Sequence, residues 1–480
     1  MLYQINTRIW IRQFGEQASF ASIPDSYWQQ LADTGIRWVW LMGIWQTVDE
    51  AVHRYALAEE LQREYQAALP DWTHSDLIGS PYAIDSYTPA ASLGDWQSLA
   101  GLRAQLHRHG MRLVLDFVPN HFHAESRLLL TQPEIFLEGT HELAARDTHT
   151  FYEPPGLPGR FFAHGKDPHY AAWQDTVQVN YAREAAHTFM QQQLLQLAGC
   201  CDGLRCDMAM LPLGDVFSRS WGHVIGHAGN ALPDFWPAAI AAAKAAYPDF
   251  VMIAEVYWDL EWRLQLQGFD YTYDKRLLDR LREGHVEPLR LHLHAELDFQ
   301  QRSVRFLENH DEDRILGRFS RSQAEAAAVI AYTCPGLPFF YDGQWQGRRT
   351  RVPVQLGREP VLAGCSCPMR QLSTAAAADC VCTWHFYQQL LQLLREPVQQ
   401  QGKWQLLQEH RLLAWLWTHE TAQQMRVVVV NYHPHPVRAV WPAAAGRWLE
   451  RFSQQEWVVE QAGTPLNWYP YQYVIADKIS

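Results

Sequence analysis

Eight short apolar runs, at residues 3–10, 36–42, 111–116, 203–207, 251–255, 269–273, 303–308 and 337–341, organise most of the chain. Between them lie stretches with the spacing of amphipathic or alanine-rich helices, such as 27–34, 96–110, 182–198, 235–246 and 322–331. Strand-length runs alternating with helices are the pattern of βαβ units around a parallel sheet, because parallel neighbours need a crossover between them. Eight strands, each followed by a helix, predict an α/β chain closed into a (β/α)8 TIM barrel. Such a barrel takes about 250 residues, and the chain has 480. Further domains are therefore expected.

Two connections are too long to be plain loops. Residues 122–179, rich in His, Pro, Gly and aromatics, are predicted to form a lobe inserted after the third strand and lying over the C-terminal mouth. Residues 342–378, rich in Arg, Pro and Cys, make a second insertion. Beyond a helix at 384–394, apolar runs at 412–417, 426–432 and 471–475 follow without intervening helices, which predicts a C-terminal antiparallel β-sandwich. The expected division is 1–121 for the first part of the barrel, 122–179 for the lobe, 180–400 for the rest of the barrel with its insertion, and 401–480 for the β-domain.

Forty basic against 52 acidic residues give a net charge of −12. Binding dominated by phosphates needs a concentrated basic surface, so no nucleic-acid partner is expected. No run of about 18 apolar residues occurs, and the first residues lack a basic and then apolar leader. A cytoplasmic protein with no membrane partner is expected, and the sequence does not specify its oligomeric state. Eight cysteines are too sparse for a disulfide framework. Cys200, Cys201 and Cys206 are expected to pack as small apolar side chains. Cys365-Ser-Cys367 and Cys380-Val-Cys382 are expected to be free thiols, with a structural zinc as the alternative.

In a (β/α)8 barrel, polar side chains at the C-terminal strand ends face the site, while strand interiors fill the core. The third run ends Leu115-Asp116-Phe-Val-Pro-Asn120-His121, the fourth Gly203-Leu-Arg205-Cys-Asp207, the fifth Ile253-Ala-Glu255, and the seventh Phe306-Leu-Glu-Asn309-His310-Asp311. A carboxylate thus reaches the same mouth from each, with one arginine and two histidines. Any single one reads equally well as a structural ion pair. Four in order need a chemical reason, because neighbouring carboxylates repel and raise one another's pKa.

Two chemistries fit: a divalent metal, or acid–base work on an acetal. Metal hydrolases typically bring paired histidines, as in HExxH, and His121-Phe-His123 is the close pair near a strand end here. An acetal needs one ionised carboxylate to attack the anomeric carbon and one protonated carboxyl for the leaving oxygen, and a third group can hold sugar hydroxyls. Asp207, Glu255 and Asp311 match that requirement. Arg205, two residues before Asp207 on the same strand face, is expected to lower the Asp207 pKa. The apolar neighbours Ile253, Ala254, Val256 and Tyr257 are expected to raise that of Glu255.

The segments Asp116-Phe-Val-Pro-Asn-His121, Gly203-Leu-Arg-Cys-Asp207, Glu255 after its apolar run, and Asn309-His-Asp311 resemble, in order and spacing, the four short regions of the α-amylase family of retaining glycoside hydrolases. Gly79-Ser-Pro-Tyr-Ala-Ile-Asp-Ser-Tyr87 and Pro335-Gly-Leu-Pro-Phe-Phe-Tyr-Asp-Gly-Gln344 resemble its stretch before the third strand and its eighth strand. The resemblance covers about residues 1 to 345, and the tail by architecture only. It implies that Asp207 is the nucleophile forming a glycosyl ester, that Glu255 is the acid and then the base, and that Asp311 holds the 2- and 3-hydroxyls of the reacting sugar. It further implies that His121 and His310 bond that sugar, that Tyr82 stacks beneath its ring, that Arg205 keeps Asp207 ionised, and that Asp116 stands behind, oriented toward Arg205. Tyr257 and Trp258 are expected either to form a shelf for the leaving group or to pack under the 122–179 connection.

Three departures bear on this. Met208-Ala-Met210-Leu-Pro follows the nucleophile position, where many starch-cleaving amylases carry a Lys-His pair that contacts the glucan and helps hold calcium. Asn120 stands at a calcium-ligand position of the family, and Thr176-Val-Gln-Val-Asn180 resembles its fifth motif with Gln178 where an acid is common. One neutral oxygen does not make a calcium site, so calcium and long-chain starch specificity are both in doubt and no cofactor is expected to be required. Asp85-Ser86-Tyr87 shifts acid and neighbour by one relative to the usual Asp-Tyr. The expected activity is hydrolysis of short α-glucans or α-glucosides, with α-glucosyl transfer as the alternative and a catalytically silent member as a third reading.

Overall fold

The structure is a computed structural model that describes residues 1–226, 232–361 and 383–479. The eight runs close into one parallel barrel. Leu2–Asn6, Trp38–Met42, Arg112–Phe117, Gly203–Cys206, Val251–Ala254, Tyr271–Tyr273, Ser303–Arg305 and Leu337–Tyr341 pair in chain order, and the last pairs back onto the first.

Several strands are shorter than their apolar runs, for a reason visible at the first. The run at 3–10 is not all strand: it leaves the sheet at Asn6, and Thr7–Trp10 is helical. Asn6 pairs with Met42, the last residue of the second strand, and Gly43 at φ 73° then turns that neighbour away. Without a ladder partner, the backbone groups of residues 7–10 are satisfied by helical turns instead. The helices follow their predicted spans closely. Trp96–Arg108 starts on a reciprocal cap between Asp95 and Ser98, each backbone N–H donating to the other's side chain at 2.8 Å, and buries Leu99, Leu102 and Leu106 at helical spacing.

Residues between the third and fourth strands carry a three-stranded sheet (Glu138–Gly139, Phe151–Tyr152, Phe161–Ala163) and a two-stranded ribbon in which His121–His123 pairs with Thr176–Gln178. The ribbon starts four residues beyond the third strand, so it carries the barrel mouth directly into the lobe. A hairpin of Trp45–Thr47 with Ile84–Pro89, which the sequence pattern does not foretell, lies alongside. Asp85 joins the two, taking the Arg127 guanidinium at 2.9 and 2.7 Å. The described part of the second insertion packs Val352 and Leu356 against Ile9, Tyr65, Leu69 and Leu77. Cys365, Cys367, Cys380 and Cys382 lie outside the described residues.

The C-terminal residues form an antiparallel six-stranded sheet, in the order Lys403–Leu406, Leu413–His419, Gln424–Val430, Tyr473–Lys478, Gly446–Glu450 and Glu456–Val459. Strand alternation divides its core in two. Leu413, Trp415, Trp417, Val428 and Val430 pack toward the barrel, whereas Ala414, Val427 and Val429 face Ala439 and Trp468 of the small sheet Val437–Val440/Pro465–Trp468, and Trp441 just beyond it. Of the chain's 21 tryptophans, eleven, Trp10, Trp28, Trp40 and Trp45 among them, are less than 2% exposed and serve as core. Cys201 and Cys206 are buried as expected, but Cys200 is only partly so. No helix among the described residues is long and apolar enough to cross a membrane.

Candidate active site

Arg205 is the centre of the mouth. It is fully buried on the fourth strand, and its Nη1 donates to Asp207 Oδ1 at 2.8 Å. Nη2 lies 2.7 Å from Glu255 Oε2, an ion contact off the hydrogen-bonding direction. Asp116 Oδ1 stands 3.7 Å away on the neighbouring third strand, and the guanidinium lies over the rings of Trp40, Tyr82 and Tyr273. Strand register produces this cluster, because Arg205 is level with Asp116 on one side and Ile253 on the other. Two residues further on, Asp207 and Glu255 rise toward the opening.

Both acids are followed by strained backbone. Met208 has φ 41° and Trp258 φ 67°, a left-handed region that costs side-chain-bearing residues about 1–3 kcal/mol and clusters at functional sites. The turn at Met208 aims its N–H at Glu255 Oε2 at 2.7 Å, while Tyr257 Oη donates to Oε1 at 2.7 Å. Trp258 meets the edge of His169 from the lobe, ring centroids 4.9 Å apart. Tyr257 thus touches the carboxyl through its hydroxyl, and Trp258 packs against the 122–179 connection, the second of the two expectations for this pair.

Burial governs the electrostatics. It raises the Glu255 pKa to about 7 against the pull of Arg205, with Asp207 and Asp311 adding to the rise. Burial also raises Asp207 on balance, although Arg205 donates to it. That corrects the expectation of a lowered value: the arginine acts in the predicted direction but is shared with a second acid, and desolvation outweighs it. Asp116, sealed behind with Trp40 and the Gly43 N–H on its oxygens, is pushed by burial to about 6.

Asp311 occupies the lip, its side chain 47% exposed. Asn309 Oδ1 fixes the turn by accepting from the N–H groups of Asp311 and Glu312 at 2.9 and 2.8 Å. Desolvation works upward on Asp311, but His310, Arg205 and Arg351 outweigh it and hold its pKa below the usual range. His310 Nε2 lies 3.0 Å from Asp311 while its Nδ1 meets Gln4 Nε2 at 2.7 Å; the amide donates, which leaves the ring proton on Nε2. Tyr82 stacks on His310 at 5.2 Å. His121, in the ribbon, has its pKa lowered to about 4 by burial and is neutral at pH 7. The lobe crosses close above it: a Cβ on Gly165 would stand 3.0 Å from His121 Cβ and 2.8 Å from Thr176 Oγ1, so only glycine fits.

The chain resembles α-amylase MalA of Haloarcula japonica, 24% identical over 356 residues that cover 72% of this chain and 44% of that one. It also resembles α-amylase 3 of Dictyoglomus thermophilum, 21% identical over 299 residues, 58% and 55% of the two chains. The chain is similar in sequence to these α-amylases. It spans about half the length of these two proteins. No family model matches the sequence. Among solved structures, a maltogenic α-amylase of Thermotoga neapolitana superposes with a TM-score of 0.69 at 17% identity over 100% of this chain and 98% of that one. An α-amylase from H. orenii gives 0.68 at 18% over 100% and 99%. These likenesses establish the fold.

The structure brings Asp116, Arg205, Asp207, Glu255, Tyr257, Tyr82, His310 and Asp311 into one cluster. Trp258 is engaged by the lobe and His121 stands in the ribbon, and four further residues were missed. Trp40, Tyr273, Gln4 and His169 each touch one of them. Gln4 carried a legible signal, an amide flanked on both sides by the apolar residues Tyr3 and Ile5. Trp40 and Tyr273 carried none, because an aromatic inside an apolar run reads as core.

Replacing Arg205 by Met should leave Asp207, Glu255 and Asp116 without their buried counter-charge. A cost of about 3–5 kcal/mol is expected, measured as a lower urea midpoint. Asp207, ionised less readily without the cation, should shift the low-pH limb of any residual kcat/KM to higher pH. An unchanged urea midpoint would contradict the shared-cation geometry.

Proposed function

We propose that the protein is a glycoside hydrolase that cleaves α-glucosidic bonds of short α-glucans or α-glucosides by a retaining double displacement. The observation that carries this reading is the single buried guanidinium contacting Asp207 at 2.8 Å and Glu255 at 2.7 Å. Two carboxylates within reach of one guanidinium favour the close spacing of retaining enzymes, about 5–5.5 Å, over the wider gap that accommodates a water in inverting ones.

In the first step an Asp207 oxygen bonds to the anomeric carbon as the glycosidic C–O bond breaks, and Glu255 gives its proton to the departing oxygen. Its pKa of about 7 keeps that proton available near neutrality. In the second step Glu255 takes a proton from water, the resulting oxygen attacks the same carbon, and the ester to Asp207 breaks. Asp311 at the lip, buried His310 beside it and neutral His121 supply acceptors and donors for the sugar hydroxyls, and Tyr82 supplies a ring face. The contact of Trp258 with His169 brings the lobe to the Glu255 side, which supports short substrates.

Incubation with maltose, maltotriose, sucrose, trehalose and soluble starch, with the first product's anomer read by proton NMR, tests this. Release of α-glucose or α-maltose before mutarotation is expected. A β-anomer would overturn retention, new longer or rearranged glucosides would make the protein a transferase, and unchanged sugars would favour the silent reading. Trp258→Ala should raise KM for maltotriose about five- to tenfold through lost ring contact, with kcat much less affected. Equal losses in kcat and kcat/KM would instead place Trp258 in the chemical step.

A further inference from the structure

Members of the resembled family hold calcium where the third strand meets the lobe, and the residues at that junction here do not fit a cation. Gln178, fully buried in the ribbon, points its Nε2 at three oxygens: Asn120 Oδ1 at 2.9 Å, Asn120 O at 3.0 Å and Val179 O at 3.0 Å. The amide's orientation is fixed by these neighbours, because the reverse would set Oε1 against three other oxygens. Asn120 O already accepts from the Val179 N–H at 3.0 Å, so both its lone pairs are used. The Asn120 side chain is fixed as well, its Nδ2 directed at His121 Nδ1 at 3.4 Å and its Oδ1 left facing Gln178.

Calcium needs six to eight oxygens at about 2.3–2.6 Å. A cation placed among these three would overlap the Gln178 nitrogen and face its N–H hydrogens. We propose that Gln178 is the protein's internal substitute for a cation: its uncharged N–H donors occupy the centre of an oxygen cage and tie the end of the third strand, and with it His121, to the lobe without calcium. Among the described residues no cluster of three or more His, Cys, Asp or Glu side chains offers another such site.

Thermal unfolding of the full chain tests it, in EDTA and in excess calcium chloride, for the wild type, Gln178→Glu and Gln178→Met. The wild-type midpoint should be the same in both media. Gln178→Glu sets a carboxylate against three acceptor oxygens, so it should melt several degrees lower in EDTA and recover most of that loss with calcium. The proposal is overturned if calcium raises the wild-type midpoint by several degrees and Gln178→Met abolishes the rise, since the amide would then be a ligand. A Gln178→Glu protein that folds but gains nothing from calcium would overturn the identification of the cage as a cation position. The wild-type and Gln178→Met melts decide the first point even if Gln178→Glu fails to fold.

Discussion

Asp207→Asn is expected to lower kcat by about 10⁴-fold or more while the protein stays folded. The amide keeps an oxygen for Arg205 Nη1, which donates to Oδ1 at 2.8 Å, so the arginine retains a partner and the site its shape. What is lost is the second oxygen's negative charge and its ability to form an ester. The loss should be severe with every leaving group, because the bond to Asp207 forms in the same step in which any leaving group departs. Initial rates on maltotriose and on an aryl α-glucoside, together with a thermal midpoint, check this. Substantial residual turnover on either substrate would remove Asp207 from the role of nucleophile.

Glu255→Gln should behave differently, and the difference separates the two acids. With maltotriose the loss of the proton donor should cost about 10²–10⁴-fold. An aryl glucoside with a good leaving group needs no proton, so its first step should survive, and the ester should accumulate for want of a base. A burst of aryl alcohol followed by a slow steady state is the expected trace. The pH profile gives a second check with a definite sign. Glu255 must be protonated and sits at about 7, so wild-type kcat/KM should fall as pH rises above 7. A glutamine at that position cannot titrate, and the variant should lose that limb. A limb that persists in the variant would assign the titration to another group.

The barrel was legible because its signals are local. Alternation of short apolar runs with helical spacing does not depend on what the runs touch, and the strands fell where the runs are. Their ends were less legible: Ile9 and Trp10 continue the apolar run past the strand, and only the turn of its neighbour at Gly43 sends Thr7–Trp10 into a helix. The hairpin Trp45–Thr47/Ile84–Pro89 was missed for the same reason, since its ladder joins strands 36 residues apart and carries two register shifts. Asp85 read as a displaced motif; in the fold its carboxylate is engaged by Arg127, a partner 42 residues away.

Sequence alone determined which residue types stand at the ends of the third, fourth, fifth and seventh strands, and so which acids could converge, because strand periodicity and parallel order fix that without coordinates. Tertiary structure decided what the acids do to one another. Sharing one buried guanidinium between Asp207 and Glu255, and withdrawing both from water, raises both pKa values, where the sequence suggested that they would part. It also turned Gln178 from a missing acid into a donor filling an oxygen cage. Desolvation and hydrogen-bond direction depend on the three-dimensional surroundings of a group, and for Arg205 and Gln178 those surroundings come from strands and ribbons tens of residues away.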